Sequence, residues 1–355
     1  MRIGVETPDR APIALVGEAW GEQEEKFKLP FQGASGQELN RMLHEGGLLR
    51  SECLTTNLLC ARPPGNDFDL MCCDRKAVGD AKFHGIVLPP LKPGKYLKPE
   101  FYGELEELRL ELSSPWLNLA IPLGNTALWA LTLQTPSIGK SRGAVGESTL
   151  VPGLKILPTY HPAHVLRNWH FRVTVITDFI KAKHEAAFKD IIRTKREVWI
   201  EPTNIADLWD FHKQFVERSA LVSLDIENPF KLQGRRLISC VGIAPDAKHA
   251  LVIPFMTTRG SYWATADEEA EAWDFLQHVF NTKPILAQYG LHDVYALAHD
   301  HVFVRQWCED TLFEHHALYP EMPKTLGFLG ATYTNEVEWK SLNPRGYTSD
   351  EEGEE

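Results

Sequence analysis

The chain has 355 residues, enough for two domains of ordinary size, and its 43% hydrophobic and 24% charged residues are the composition of a globular protein. No apolar run is long enough to span a bilayer, and the N-terminus, MRIGVETPDR, lacks an apolar signal-peptide stretch, so we expect a cytosolic protein. The net charge of −11 argues against an extended basic surface and predicts that any nucleic acid binds at a local basic patch.

The first half of the chain alternates apolar runs of strand type with segments of helical spacing, which favours an α/β layer architecture. The segment 66–99 is rich in Gly, Pro and Lys and is predicted to be an irregular insertion. The predicted strands are 12–18, 53–59 and 119–124, the predicted helices are 36–46, 100–112, 125–131 and 173–193, and 154–168 is predicted as strand, loop and helix.

A domain boundary is predicted near 195–202, where the charged segment RTKREVWIEP ends in a proline. We therefore divide the chain into domains 1–195 and 196–355. The second domain opens with a predicted helix at about 203–218, followed by the strands ALVSLDIE, LISCVGIAP and ALVIPF. The short turns between these strands predict an antiparallel run within a second α/β domain.

Four side chains of the first domain are suited to binding a base that has been extracted from DNA. Glu18 lies in a Gly-rich turn (GEAWG), Phe31 on a loop (LPFQGASG), Asn57 in a buried strand (TTNLLCARPPGN), and His161 just before a proline (PTYHPAHVLR). An aromatic ring stacks on a base, and an Asn amide both donates to and accepts from the O4/N3 edge of uracil. A His near O2 stabilises the charge that develops on a departing uracil anion.

These segments, in this order and together with IPLGNTALWAL, resemble family 4-type uracil-DNA glycosylases and their phage relatives. The resemblance implies a three-layer α/β/α domain that hydrolyses the N-glycosidic bond of uracil in single-stranded or duplex DNA. It implies catalytic roles for Glu18 and His161 and uracil-binding roles for Phe31 and Asn57. It also implies a bacterial or phage-infected cell as the setting.

Two positions depart from the pattern of that family, and a third departs only from that of the best-known glycosylases. Trp20 replaces the usual proline of the first motif, and Lys28 replaces a glycine that precedes the Pro-Phe pair. Ala19 stands where the best-known glycosylases have a water-activating Asp, a feature that family 4-type enzymes share. We further expect two basic residues in the flanks of the motifs to contact DNA, namely Arg62 and Arg167.

The six cysteines do not make a disulfide framework in a chain of this length. Family 4 enzymes usually hold an iron–sulfur cluster with four Cys ligands, two of which precede the first motif, but no Cys precedes Gly17 here. Cys53, Cys60, Cys72 and Cys73 also lack a C-x2-C pair. We therefore expect no iron–sulfur cluster.

The second domain carries carboxylates with the spacing of a two-metal site. Asp225 and Glu227 lie two residues apart on a predicted strand, which places both on one face, and Asp293 follows at a helix start. With the downstream segment EDTLFEHHALYPEMPKTLGFLGATYT, they resemble the proofreading 3′→5′ exonuclease of family A polymerases, a ribonuclease H-like DEDD domain. The resemblance implies Mg²⁺ or Mn²⁺ at these three carboxylates, with Gln288 replacing an Asn and Asp310 not a metal ligand.

The third exonuclease motif is not evident in the sequence. The DEDD class needs a final Asp four residues after a Tyr or five after a His, and the chain offers Tyr347 and Asp350, three apart in an acidic tail. We therefore predict an incomplete domain with weak metal binding and weak or absent exonuclease activity.

Three hypotheses for the whole chain remain open. The first is a uracil-excising glycosylase with an exonuclease-like partner domain. The second is a catalytically degenerate DNA-binding accessory of a separately encoded phage-type DNA polymerase. The third is an active metal-dependent exonuclease that uses an unrecognised third acid.

Overall fold

The protein, seen in a computed structural model, forms two compact units. The first unit comprises Met1–Ile192 together with the chain from Gly327 onward, and the second comprises Arg193–Leu326. Among the described residues no helix is long and apolar enough to cross a membrane. The structure describes residues 5, 6, 8, 10–135, 137–200, 202, 204–228, 230–232 and 235–336.

The two units differ from the predicted division at the end of the second domain. The chain enters the second unit after Ile192, close to the expected boundary, but it returns to the first unit at Gly327. The sequence did not indicate this return, because the segment resembled a continuation of the exonuclease domain.

The first unit is built on a five-stranded sheet of order β2-β1-β5-β7-β6, in which β6 alone runs antiparallel to its neighbour. A small antiparallel pair, β3 and β4, lies within the irregular segment. The strands are β1 (Ile13–Ala19), β2 (Cys53–Leu59), β3 (Cys72–Cys73), β4 (Tyr96–Leu97), β5 (Leu119–Pro122), β6 (Gly146–Glu147) and β7 (Lys155–Ile156).

Helices cover both faces of this sheet, because strand β1 has apolar side chains on both of its faces. Ile13 and Leu15 of β1 pack in one buried cluster with the helix residues Met42 and Phe179, whereas Ala14 and Val16 belong to the cluster on the other side. The predicted three-layer α/β/α architecture is therefore confirmed. The helices are α1 (Glu22–Phe27), α2 (Gly33–Glu45), α3 (Arg75–Val78), α4 (Tyr102–Leu112), α5 (Asn125–Thr132), α6 (Ile138–Ser141), α7 (Pro162–Arg167) and α8 (Arg172–Glu185).

The helix predicted at 173–193 ends earlier than expected, at Glu185. The buried ammonium of Lys155 donates to the carbonyl oxygen of Glu185 at 2.6 Å and to that of Asp190 at 3.3 Å. A buried charge needs such partners, and carbonyl groups become available to it where the helix stops. The tertiary contact therefore overrides the local helical pattern.

The second unit contains a mixed six-stranded sheet of order β17-β16-β9-β12-β13-β8. Strand β12 is antiparallel to both β9 and β13, and β16 and β17 extend the sheet in parallel on the other side of β9. This is the arrangement expected of a ribonuclease H-like domain, with β8 added at one edge. The strands are β8 (Glu197–Ile200), β9 (Val222–Glu227), β10 (Phe230–Leu232), β11 (Arg235–Leu237), β12 (Cys240–Ala244), β13 (His249–Pro254), β14 (Met256–Thr257), β15 (Gly260–Ser261), β16 (Ile285–Ala287) and β17 (Trp307–Asp310).

The core of the second unit lies between this sheet and two helices. Phe211 and Phe275 contribute the largest buried side chains from the helical side, against Val222 and Leu224 of the central strand. The helices of this unit are α9 (Ile205–Phe211), which continues as a π-helical turn, α10 (Ala266–Thr282), α11 (Leu291–His299) and α12 (Thr311–Leu318). Helix α13 (Leu326–Tyr333) follows and lies in the first unit from Gly327 onward.

Candidate active site

A cavity of about 640 Å³ opens at the carboxyl ends of the parallel strands of the first unit. This edge is where open α/β sheets bind their ligands, and the volume suits a small molecule or an extruded base. The structure brings together all four residues predicted for the base site, since Glu18, Phe31, Asn57 and His161 all line the cavity.

Gly17 allows the aromatic and amide groups of the cavity to meet. It pairs with Asn57 in the register of β1 and β2. A Cβ atom at Gly17 would lie 2.1 Å from Oδ1 of Asn57 and 2.6 Å from Cζ of Phe31. Only glycine leaves room for both side chains here, and both are buried, with 2% of Asn57 and 4% of Phe31 exposed.

Phe31 is held in a strained backbone conformation. Its φ of +48° lies in the left-handed region, which costs about 1–2 kcal/mol for a residue with a side chain. The Arg50 guanidinium offsets this cost, because it donates to the carbonyl oxygens of Phe31 at 2.9 Å and Pro30 at 2.5 Å. Arg50 also donates to Oε2 of Glu6 at 3.0 Å, which fixes its orientation.

His161 faces Phe31 and is held as a neutral imidazole. The two ring centroids are 6.1 Å apart, at an interplanar angle of 35°. Nδ1 of His161 accepts a hydrogen bond of 3.1 Å from the backbone N–H of Ala163, so the proton of the neutral ring is assigned to Nε2. Desolvation, with the nearby charges of Arg167 and His164, lowers the pKa of His161 to about 4.

Glu18 reaches the cavity from the end of β1 and is anchored by a residue of α5. One of its oxygens accepts a hydrogen bond of 2.5 Å from the hydroxyl of Thr126, in the first turn of α5. A carboxylate held in this way presents its remaining lone pairs in a fixed direction. The arrangement therefore places a negative charge beside the aromatic and amide groups.

The two basic residues expected to contact DNA have different surroundings. Arg167 is exposed at the end of α7 and lines the cavity. Arg62 donates to Oδ1 of Asn66 at 2.7 Å and lies 3.4 Å from Glu25 and 4.0 Å from Glu22. The charge of Arg62 is thus offset by two carboxylates, and Arg167 is the better placed of the two for a phosphate.

The cysteines of the first unit do not fit an iron–sulfur cluster. Cys53 lies inside β2, where burial raises the pKa of its thiol to about 12, and its Sγ donates to the carbonyl oxygen of Leu49. Cys72 and Cys73 are adjacent on a strand, so they point to opposite faces. Burial raises the pKa of both thiols as well. Adjacent side chains that point to opposite faces are poorly placed to bind one cluster, and the absence of a cluster stays a prediction from the sequence.

The carboxylates of the second unit interact in pairs. Asp293 is buried at the start of α11, and burial together with the charge of Asp225 raises its pKa to about 7. Desolvation and the charge of Glu227 raise the pKa of Asp225 to about 6.

The assignment of a metal ion to Asp225, Glu227 and Asp293 stays a prediction from the sequence. Among the described residues, no group of three or more acidic, His or Cys side chains is placed so that it could hold a metal ion. Tyr347 and Asp350, considered above for the third motif, lie outside the described residues.

Two further residues of the exonuclease resemblance have structural contacts. The carboxylate of Asp310 accepts hydrogen bonds from the backbone N–H groups of Tyr289, Gly290 and Leu312 at 2.8–3.0 Å. It caps α12 and fixes the turn before α11. The side chain of Gln288 donates to the carbonyl oxygen of Lys324 at 2.8 Å.

Three residues that shape the cavity were missed by the sequence reasoning. Gly17 carried a usable signal, because a glycine inside a buried strand marks a close approach of another group. Nothing in the sequence indicated Thr126 or Arg50, since each donates a hydrogen bond to a residue that is distant in sequence.

The first half of the chain is similar to known proteins. The sequence profile of the uracil DNA glycosylase superfamily matches residues 4–188. The type-4 uracil-DNA glycosylase of Saccharolobus solfataricus is 29% identical over 191 residues, which cover 51% of this chain and 74% of that protein. The type-4 uracil-DNA glycosylase of Thermotoga maritima is 30% identical over 177 residues, covering 48% and 76%.

Solved structures similar to the chain include two exonuclease domains. That of Aedes aegypti Nibbler is 10% identical with a TM-score of 0.32 and covers 45% of this chain and 79% of that chain. That of EXD2 is 17% identical with a TM-score of 0.25 and covers 43% and 77%. Scores this low add no weight, so the fold of the second unit rests on its own strand order.

Proposed function

The chain belongs to the uracil DNA glycosylase superfamily, and from this membership we propose that its first unit removes uracil from DNA by hydrolysing the N-glycosidic bond. One observation carries the proposal. Phe31, Asn57 and His161 come from three separate segments and meet in one cavity at the carboxyl ends of the sheet. An aromatic face, an amide and a neutral imidazole are the groups that an extruded uracil requires.

The uracil ring would stack on Phe31 and pair with Asn57. An amide side chain is both donor and acceptor, which matches the N3–H and O4 groups of uracil but not the N4 amino group of cytosine in the same orientation. Because the position of Asn57 is fixed inside β2, reorienting the amide to suit another base has a cost. This pairing supports discrimination between uracil and cytosine.

His161 would stabilise the leaving group. When the bond between N1 and C1′ breaks, its electron pair passes to the uracil ring and charge develops at O2. The Nε2–H of a neutral imidazole can donate to that oxygen, and the bond from Ala163 to Nδ1 keeps the ring in the tautomer that does so. Since the pKa of His161 is about 4, this neutral form is the one present at physiological pH.

Glu18 would act on the other side of the breaking bond. Its fixed carboxylate can offset the positive charge that develops on the sugar and orient a water molecule toward C1′. The water oxygen then forms the new bond to C1′, and its proton is lost to the carboxylate or to solvent. Ala19, beside it, has no group that could share this task.

Single-stranded DNA is expected to be at least as good a substrate as duplex, because extruding a paired base costs a few kcal/mol. Arg167 at the rim of the cavity would hold the phosphate backbone. The test is incubation of excess protein with single-stranded and duplex oligonucleotides that contain one uracil, followed by detection of free uracil by mass spectrometry. Absence of free uracil from both substrates would refute the proposal.

For the second unit, the binding of Mg²⁺ or Mn²⁺ at Asp225, Glu227 and Asp293 stays a prediction from the sequence. A polymerase partner for this unit stays a prediction from the sequence.

A further inference from the structure

The segment that follows the second unit forms part of the first unit. Helix α13 presents buried side chains to it, among them Leu329 and Thr332. From the glycosylase side, the ammonium of Lys181 donates to the carbonyl oxygens of Ala331 and Thr334 at 2.7 and 2.5 Å. Cations favour helix C-termini, where carbonyl groups lack helical partners, so Lys181 holds the end of α13 in place.

Arg142 connects α13 to the interior of the first unit. Its side chain is 2% exposed. NH1 donates to the hydroxyl of Thr332 at 3.0 Å, and the guanidinium lies over the ring of Phe328 at 4.4 Å. NH2 and Nε both donate to the carboxylate of Asp178, which is 1% exposed. A buried Arg–Asp pair is stable only if its remaining hydrogen-bonding groups are satisfied, and Thr332 satisfies one of them.

Asp178 extends this connection to the strand end that precedes His161. Its Oδ2 accepts a hydrogen bond of 2.6 Å from the hydroxyl of Thr159, which is fully buried. The backbone of Thr159 is bonded to Pro122 and Gly124 of the neighbouring strand end. His161 follows two residues later. The hydrogen bonds thus run from Thr332 through Arg142 and Asp178 to the segment that carries the imidazole.

We propose that α13 is a positioning element of the glycosylase site, acting through Arg142, Asp178 and Thr159 to fix the loop of His161. None of these three residues lines the cavity, so their effect on the reaction is indirect. The proposal rests on the proposed function for its kinetic consequence. A shift of about 1 Å in a catalytic group can cost on the order of 100-fold in rate, which is why a buried hydrogen bond next to the loop matters.

The test uses the full chain with Thr332→Val, which keeps the side-chain volume and removes the hydroxyl. Thr332→Ser restores the hydroxyl, and Thr334→Val is the matched control, because the hydroxyl of Thr334 donates to the carbonyl oxygen of Gly330 and accepts from the backbone N–H of Glu336, both close to it in sequence. The single-turnover excision rate should fall about tenfold in Thr332→Val with substrate affinity unchanged, since binding groups are not touched. Thr332→Ser and Thr334→Val should behave like the wild type.

Hydrogen–deuterium exchange of residues 157–164 provides a readout that does not depend on activity. Exchange should accelerate in Thr332→Val and remain at the wild-type rate in the other two variants. Unchanged exchange in Thr332→Val, or an unchanged excision rate in an active protein, overturns the positioning role. A wild-type chain that excises nothing, but in which Thr332→Val accelerates this exchange, refutes the proposed function while supporting the positioning role.

Discussion

The guanidinium of Arg50 donates a hydrogen bond of 2.9 Å to the carbonyl oxygen of Phe31, 19 residues earlier in the chain. This bond and the adjacent one to Pro30 hold a loop whose φ of +48° at Phe31 is otherwise unfavourable. The position of the Phe31 ring in the cavity therefore depends on an arginine that does not line it.

Arg50→Met should release that loop. We expect the single-turnover excision rate to fall about tenfold or more and the free energy of unfolding to fall by about 1–3 kcal/mol, because buried carbonyl oxygens lose their donor. Arg41→Met is the control, since the side chain of Arg41 is exposed and its buried partner Glu38 keeps an ion pair with Arg172. Single-turnover kinetics and denaturant unfolding measure both quantities. Equal rates for the two variants would contradict the role of Arg50.

Gly17→Ala should fill the space in which Asn57 and Phe31 meet. The added methyl group would lie 2.1 Å from Oδ1 of Asn57, so the amide must move away from the base. We expect excision to fall by about 100-fold or more, with a loss of about 1–3 kcal/mol in stability from overpacking. Gly103→Ala on α4 is the control, because no atom lies within 4 Å of the added carbon. Normal excision by Gly17→Ala would show that the cavity is not the base site.

The pH dependence of excision should reflect a neutral His161. Because its pKa is lowered from 6.5 to about 4, the rate should stay level between about pH 5 and 8 and fall only near pH 4. Protonation would also break the bond from Ala163 to Nδ1. Single-turnover rates from pH 3.5 to 8 measure this profile. A midpoint near 6.5 would mean that the imidazole is not desolvated as described.

The lowered pKa of His161 also makes the free energy of unfolding depend on pH. In the unfolded chain the imidazole returns to its ordinary pKa of 6.5, so the unfolded state binds more protons between pH 6.5 and about 4. The contribution of His161 is therefore fully present above pH 6.5 and is lost progressively as the pH falls toward 4. The free energy of unfolding of His161→Gln, measured across the same pH range, should lack this pH-dependent contribution.

The sequence predicted the sheet of the first unit and the four cavity residues because both depend on local patterns. Strand β1 is apolar on both faces, and Phe31, Asn57 and His161 lie in short motifs with distinctive neighbours. Three other features depend on contacts between segments that are distant in sequence. These are the anchoring of Phe31 by Arg50, the end of α8 at Glu185, where Lys155 binds the carbonyl oxygen, and the return of the chain to the first unit at Gly327. No periodicity or spacing encodes such contacts.

The second unit should digest a 3′-end slowly or not at all, even with Mn²⁺. Asp225 interacts electrostatically with Glu227 and with Asp293. The sequence shows no third exonuclease motif to supply the final carboxylate and the water-orienting Tyr or His. The measurement is digestion of an end-labelled, 3′-recessed oligonucleotide by the wild type and by Asp225→Ala. Rapid digestion that Asp225→Ala abolishes would reveal a working metal site, and Asp350 would be the next residue to replace.

Uracil excision itself is tested most directly with a single-stranded oligonucleotide that carries one uracil, incubated with excess protein and then treated with alkali to cleave abasic sites. The wild type should produce cleavage at the uracil position alone and none in matched oligonucleotides with thymine or cytosine. Asn57→Ala should slow excision by raising the activation free energy by about 2–4 kcal/mol, because the paired edge of the base loses its partner. An uncleaved uracil oligonucleotide, or a wild-type rate in Asn57→Ala, would contradict the assignment of this cavity.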